Sequence, residues 1–285
     1  MNHLISENDQ KILARYQANV AKHLAASKAA GHERQTTEEY RAMMLSLNPF
    51  KFPPNYKNLA PVASYRPKLQ LKPGLTAAVA VPKGKGPFPI IVHAHGHGLQ
   101  AGSPPEYEPW MRVMASYGFV VVFPDYRWQP EASFQDQIDD MMYAVDWVRK
   151  NPAQINGDPS KLILGGDSAG GSLCLATLLD TLKNPSGPRF LAVEVVDGAI
   201  NPQSGRDLLA EITPALPIPP VIWSVGSADQ TMPSGLAVAT ALRKAGKQFE
   251  LRIYYGLPHD ALKLPELEIM HKGNDDAMKW LQKVV

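Results

Sequence analysis

The sharpest chemical feature of this 285-residue sequence is a serine set between two glycines, Gly166, Ser168 and Gly170. It lies in Leu162-Ile163-Leu164-Gly165-Gly166-Asp167-Ser168-Ala169-Gly170-Gly171, where a short apolar run ends and an apolar helical pattern begins. So tight a strand-to-helix turn imposes strained dihedrals on the serine and needs small neighbours, and it lifts the hydroxyl clear of the sheet. The Ala169 amide, at the start of the helix, then points toward a developing oxyanion. The bland reading of the same residues is a tight βα turn without chemistry.

A serine hydroxyl is a poor nucleophile at neutral pH and needs a base. In this strand–turn–helix arrangement the partners follow in the order serine, acid, histidine. Only His259 and His271 follow Ser168. His259 sits just past the last strand candidate, in Tyr255-Gly256-Leu257-Pro258-His259-Asp260, whereas His271 falls on the polar part of the final helical pattern. Position therefore favours His259 as base. Asp229, closing Val221-Ile222-Trp223-Ser224-Val225-Gly226-Ser227-Ala228-Asp229, is placed to fix the imidazole tautomer and stabilise the imidazolium. Taken alone, Asp229 reads as a loop aspartate or helix cap. Asp260 competes for the acid role, but an acid next to the histidine in sequence reaches its ring with poor geometry.

A third feature is Val92-His93-Ala94-His95-Gly96-His97-Gly98-Leu99. Glycine-rich backbone after a strand lets amides turn inward, so His97 and Gly98, with Gly96 as a further donor, would join Ala169 in an oxyanion hole. The three histidines also alternate, which places them on one side of an extended strand, and imidazole is a common zinc ligand. A metal-dependent hydrolase using His93, His95 and His97 is therefore a competing reading. The usual acidic ligand close behind is missing. The plain alternative makes His93 a core residue and His95 a loop anchor.

The elements that must position these groups are legible from periodicity. Strand candidates are Thr76–Val81, Ile90–Ala94, Phe119–Phe123, Lys161–Gly165, Ala192–Val196, Val221–Val225 and Glu250–Tyr255. Several are continuous Val/Ile runs, as expected when both faces of a parallel sheet are covered. Helical candidates alternate with them: Tyr107–Ser116, Phe134–Lys150, Ala169–Leu182, Ser234–Ala245 and Glu266–Val284. The alternation predicts an α/β, mostly parallel, doubly wound sheet with helices on both faces. Before it, Ile12, Leu13, Tyr16, Val20 and Leu24 recur at helical spacing, and a second helix starts near Thr37. Pro- and Asn-rich residues 48–67 read as an irregular connector. The expected division is an N-terminal helical segment and connector over 1–67, a small cap, and a catalytic domain over 68–285.

Bulk properties narrow the field. The 29 basic and 27 acidic side chains leave a net charge of +2 and are well mixed. No basic stripe tracks a phosphate backbone, so nucleic acid is not an expected partner. Cys174 is the lone cysteine, which rules out an internal disulfide. Without a signal-peptide pattern or a long apolar run, the expectation is a cytoplasmic protein with no membrane span.

Four motifs in order over residues 75–285 resemble the hormone-sensitive-lipase-like carboxylesterases of the α/β-hydrolase superfamily. His95-Gly96-His97-Gly98 is similar to the family's HGGG, Pro124-Asp125-Tyr126-Arg127-Trp128-Gln129-Pro130-Glu131 to its DYRLAPE stretch, and Gly166 to Gly171 reads GDSAGG. Asp229 and His259 fall where the family's acid and base loops would be. The resemblance implies an α/β-hydrolase fold and hydrolysis of small or short-acyl carboxylic esters by Ser168, Asp229 and His259, with no metal or other cofactor. It also implies an oxyanion hole of His97, Gly98 and Ala169 amides, with Asp125, Arg127, Glu131 and Asp167 as supports around the site. His97 stands where the family has glycine, and Trp128 and Gln129 where it has small aliphatic residues. The 61 positions from Ser168 to Asp229 leave room only for a small cap segment there. Leu99, Trp128 and Met232 are candidate substrate contacts, with Trp110 a further aromatic one. An arylformamidase-like amide hydrolase would use the same machinery.

Overall fold

In the computed structural model, residues 5–32, 35–47, 60–200, 205–264 and 266–285 are described. Eight strands form one sheet in the order β1-β2-β4-β3-β5-β6-β7-β8. They are β1 (Ser64–Lys72), β2 (Leu75–Val81), β3 (Phe88–Ala94), β4 (Val120–Pro124), β5 (Gly157–Asp167), β6 (Phe190–Val196), β7 (Val221–Gly226) and β8 (Phe249–Tyr254). The β1–β2 and β2–β4 pairs are antiparallel and every other pair is parallel.

The sheet is apolar on both sides because alternate side chains of one strand enter opposite cores. Ile90 and Val92 of β3, with Val120 and Val122 of β4, pack into one layer, and Ile91 and Val121 into the other. All six are fully buried. Each such side chain contributes about 1.5–3 kcal/mol when fully removed from water.

The helices of the described residues are α1 (Glu7–Ala29), α2 (Thr37–Leu47), α3 (Glu108–Ser116), α4 (Phe134–Lys150), α5 (Gly170–Lys183), α6 (Met232–Lys244) and α7 (Glu268–Val284). Apolar residues of α4, α5 and α6 fill the first layer, and those of α3 and α7, with Leu13 of α1, fill the second. Helix α4 starts with a capping box in which Ser133 and Asp136 satisfy each other's backbone amides.

The expected mostly parallel α/β sheet with helices on both faces is therefore the observed one, and the element positions differ by a few residues. Helix α3 begins at Glu108, after a 3-10 turn over Pro104–Tyr107. The larger difference is β1, which starts at Ser64 inside the expected irregular connector. Its residues are mostly exposed or half-buried and Pro67 interrupts it, so it carries no strand signature in sequence. Proline is tolerated there because β1 lies at the sheet edge and its register shifts between Arg66 and Leu69. The rest of the expected connector, residues 48–59, lies outside the described residues.

Hydrogen bonds and an ion pair fasten the two N-terminal helices to the body. Asp9 accepts hydrogen bonds from the Glu268 and Ile269 amides (3.1 and 3.2 Å), which caps the start of α7. Arg41 donates to the Gln100 and Gln129 carbonyls and grips both oxygens of Glu131 at 2.8 and 2.7 Å. Tyr16 donates its hydroxyl to Asp260 at 2.9 Å. Among the described residues, no helix is long and apolar enough to cross a membrane.

Candidate active site

Ser168 follows the last residue of β5, and α5 begins two residues later. Its φ is +50°, a left-handed conformation that side-chain-bearing residues seldom adopt. Crowding explains why its neighbours are glycines. A methyl group at Gly166 would sit 2.5 Å from the Gly170 carbonyl oxygen, and one at Gly170 would collide with the Ala94 carbonyl. On the facing loop, a methyl group at Gly96 would come within 2.9 Å of Ser168 Cβ.

Two further strand ends complete the arrangement. The loop after β8 carries His259, whose Nε2 lies 2.8 Å from Ser168 Oγ. The loop after β7 carries Asp229, whose two carboxylate oxygens each lie 2.9 Å from His259 Nδ1. Asp229 is buried and also accepts the Thr231 amide at 2.7 Å. Ninety-one residues separate Ser168 from His259, so the parallel sheet, with its carboxyl ends at one edge, is what brings them together.

Electrostatics around the imidazole come from Asp229 and Asp260, both weighed in the sequence, and from Lys263, which was not. Lys263 is buried and bonds Asp167 Oδ2 at 2.6 Å and Asp260 Oδ1 at 2.5 Å. Asp260 Oδ1 lies 3.6 Å from His259 Nε2, so this acid approaches the imidazole on the serine side while Asp229 holds the other nitrogen. Burial opposes protonation of His259, but the Asp260 and Asp229 carboxylates outweigh it and push the pKa up to about 9. Asp167 is pulled down to about 2: burial opposes this, and the Lys263 ammonium and His93 prevail. Lys263 is flanked by Leu262 and Leu264, and a lysine in so apolar a stretch is the sequence signal that could have pointed to it.

The histidine strand is dispersed. Burial holds His93 below the ordinary imidazole range; it places Nε2 3.1 Å from Asp167 and stacks on Phe123 at 4.4 Å between centroids. His95 stacks on Tyr126 at 4.3 Å, and burial depresses it to about 3. His97 packs by Tyr107 at 5.5 Å, and burial depresses it to about 4. The three do not gather as ligands. Among the described residues, the grouping with metal-ligand atoms within 4.8 Å of one another is Asp197, Asp229 and His259.

The other expected site residues take varied places. His97, Gly98 and Ser168 line a cavity of about 590 Å³. The Gly96 amide donates to the Tyr107 hydroxyl at 3.1 Å, which occupies it. Ala169 caps α5 directly after Ser168. Leu99 is wholly buried, Met232 packs against the same core, Trp128 lies under the Arg41 guanidinium, and Trp110 donates to Asn274 at 2.6 Å. None of these four is among the cavity's lining residues. Its walls come instead from α1 (Tyr16, Val20, Leu24) and α2 (Tyr40, Met43, Met44). Of the expected supports, Asp125 accepts from Thr76 at 3.3 Å, Arg127 binds Asp136 and Asp140, Glu131 holds Arg41, and Asp167 joins His93 to Lys263.

Known proteins resemble this chain in sequence and in fold. Residues 91–196, from β3 to the end of β6, match a family described as alpha/beta hydrolase fold. Over 69 residues the chain is 41% identical to carboxylesterase NlhH of Mycobacterium tuberculosis, covering 24% of this chain and 21% of that protein. Over 206 residues it is 25% identical to an AB hydrolase superfamily protein of Schizosaccharomyces pombe, covering 57% of this chain and 60% of the other. The matches thus span from about a fifth to three-fifths of these relatives' lengths. An esterase from the bacterial hormone-sensitive lipase family superposes with a TM-score of 0.76 at 20% identity, covering 99% of both chains, which shows a shared fold. The chain therefore has the α/β-hydrolase fold, in sequence through residues 91–196 and in structure along nearly its whole length.

Proposed function

We propose that this protein is a serine carboxylesterase that hydrolyses small or short-acyl carboxylic esters through an acyl-enzyme. The observation that carries the reading is the chain of contacts from Ser168 Oγ to His259 Nε2 (2.8 Å) and from His259 Nδ1 to Asp229 (2.9 Å), built on a serine with φ of +50°. In the proposed cycle His259 takes the Ser168 proton as the hydroxyl attacks the ester carbonyl. Asp229 holds the imidazole in the tautomer with Nδ1 protonated and stabilises the imidazolium. Amides of Ala169, His97 and Gly98 hold the oxyanion, a type of interaction worth about 2.7–4 kcal/mol per donor. The alcohol leaves with the proton from His259, and water repeats the steps to release the acid. The helical walls of the cavity support a role for residues 1–67 as a cap over a catalytic domain of residues 68–285.

A fluorophosphonate probe tests the reading, because it reacts with an activated serine. The expected result is stoichiometric labelling of the intact chain, abolished by Ser168→Ala and unaffected by a chelator. Labelling that survives Ser168→Ala, or ester hydrolysis lost to chelator and restored by zinc, contradicts it.

A further inference from the structure

Asp197 follows the last residue of β6, the strand between those that present Ser168 and Asp229. Its side chain is fully buried, and neither carboxyl oxygen has a hydrogen-bond partner among the described residues. Buried carboxyls are ordinarily satisfied by amides or cations, so an unsatisfied one beside a reaction centre calls for an explanation. Its backbone is pinned in place: the amide donates to the Ser224 carbonyl at 2.7 Å, and the carbonyl accepts the Thr231 hydroxyl at 3.1 Å. Thr231 is the residue whose amide also holds Asp229, and Ser168 donates its own amide to the neighbouring Val196 carbonyl at 3.1 Å. The φ of Asp197 is +48°, so the chain adopts an unusual conformation to put this side chain here.

The carboxyls of Asp197 and Asp229 and the His259 ring share one spot, with a ligand atom of each within 4.8 Å of the others. We propose that Asp197 is a second orienting acid for His259, a positioning residue held in reserve beside Asp229. This rests on the proposed triad.

Two carboxyls this close do not both ionise readily; one keeps the proton. Burial, with the Asp229 charge next to it, drives the Asp197 carboxyl well above the usual carboxylate range, whereas hydrogen bonds from His259 and Thr231 overcome burial to draw Asp229 down. Asp229 therefore carries the charge and Asp197 the proton. The other charged groups facing Asp197 are His259 and Lys263, which favour its ionisation, and Asp260, which opposes it. Removing the Asp229 side chain takes away the nearest like charge and opens space beside Nδ1. Asp197 then releases its proton to solvent and accepts the Nδ1 hydrogen bond as a carboxylate. During turnover the proton still moves only between Ser168, His259 and the leaving alcohol.

The test is a double-mutant cycle on p-nitrophenyl acetate with Asp229→Ala, Asp197→Asn and the double variant. Adding Asp197→Asn to Asp229→Ala is expected to lower kcat/KM by at least about tenfold more than the same change does in the wild-type chain. It should also move the acid limb of the pH profile of Asp229→Ala to lower pH, which a purely structural aspartate would not do. Equal losses in both backgrounds, with an unmoved acid limb, overturn the proposal. If Asp229→Ala does not fold, Asp229→Ser provides the same comparison. Ser168→Ala in the same assay separates the two ideas. Retained activity there sinks the triad itself, while an inactive Ser168→Ala with an additive cycle sinks only the role of Asp197.

Discussion

Lys263 Nζ and Asp167 Oδ2 are 2.6 Å apart, which ties the loop that carries His259 to the residue immediately before Ser168. Both side chains are at most 2% exposed. A single buried ammonium thus holds together the two segments whose separation decides whether Ser168 and His259 meet, and its second partner, Asp260, acts on the imidazole directly.

Removing that ammonium leaves buried carboxylates without a counter-charge. Lys263→Met is expected to destabilise the fold by about 3–5 kcal/mol, the usual effect of breaking one side of a buried pair. Urea denaturation reads this out, and adding Asp167→Asn should recover part of the loss. A Lys263→Met midpoint equal to wild type would show that the bridge contributes nothing.

The pH dependence follows from the raised His259 pKa of about 9. The base must be neutral to take the serine proton, so kcat/KM should climb with pH through an acid limb near 9, well above an ordinary imidazole. The largest opposing charge is Asp260, so Asp260→Asn should move the limb down toward about 6.5, the unperturbed value. The linkage to stability has the opposite sense. Protonated His259 stabilises the fold in full below about pH 6.5, and this contribution fades as the pH rises through 9. A kcat/KM profile flat from pH 6 to 9 contradicts the assignment.

Asp229→Asn fills the same space with an amide that cannot stabilise imidazolium and favours the wrong tautomer. By analogy with the corresponding serine-protease substitution, kcat should fall on the order of 10⁴-fold. Because the amide still occupies the space beside Nδ1, Asp197 cannot approach, and this variant should be less active than Asp229→Ala. Steady-state kinetics on p-nitrophenyl acetate compares them, and a near-normal rate for Asp229→Asn points to another acid.

Strands β2 to β8 and the turn at Ser168 were legible because each leaves a local signature, and Asp229 and His259 followed from their order behind Ser168. Ile90–Ala94 and Val221–Val225 are continuous apolar runs, and Ser168 announces itself by the glycines its turn requires. What was not legible depends on tertiary contact. Strand β1 is held by pairing with β2 rather than by burial of its own side chains. Leu99, Trp128 and Met232 are near the motifs in sequence, yet their side chains are taken up by core packing and by Arg41. The cavity is lined instead by Tyr16, Val20, Met43 and Met44, more than a hundred residues from Ser168 in sequence. Nothing in a helical repeat of apolar residues tells which positions face a core and which face a cavity.

The cavity walls make a prediction about acyl length. Val20 lines the cavity from α1, so Val20→Trp should shorten the space available to the substrate. Relative kcat/KM for p-nitrophenyl octanoate over acetate should drop by roughly tenfold or more, the scale of a misfit of one or two methylenes. An unchanged ratio would show that long acyl chains do not run beneath α1.

The most direct measurement is the turnover of p-nitrophenyl acetate by Ser168→Ala beside the wild-type chain, with folding verified for both. Loss of a serine nucleophile whose partners remain in place should lower kcat on the order of 10⁶-fold. A variant that keeps more than about a tenth of wild-type activity, where the triad case predicts near-complete loss, would show that Ser168 is not the nucleophile.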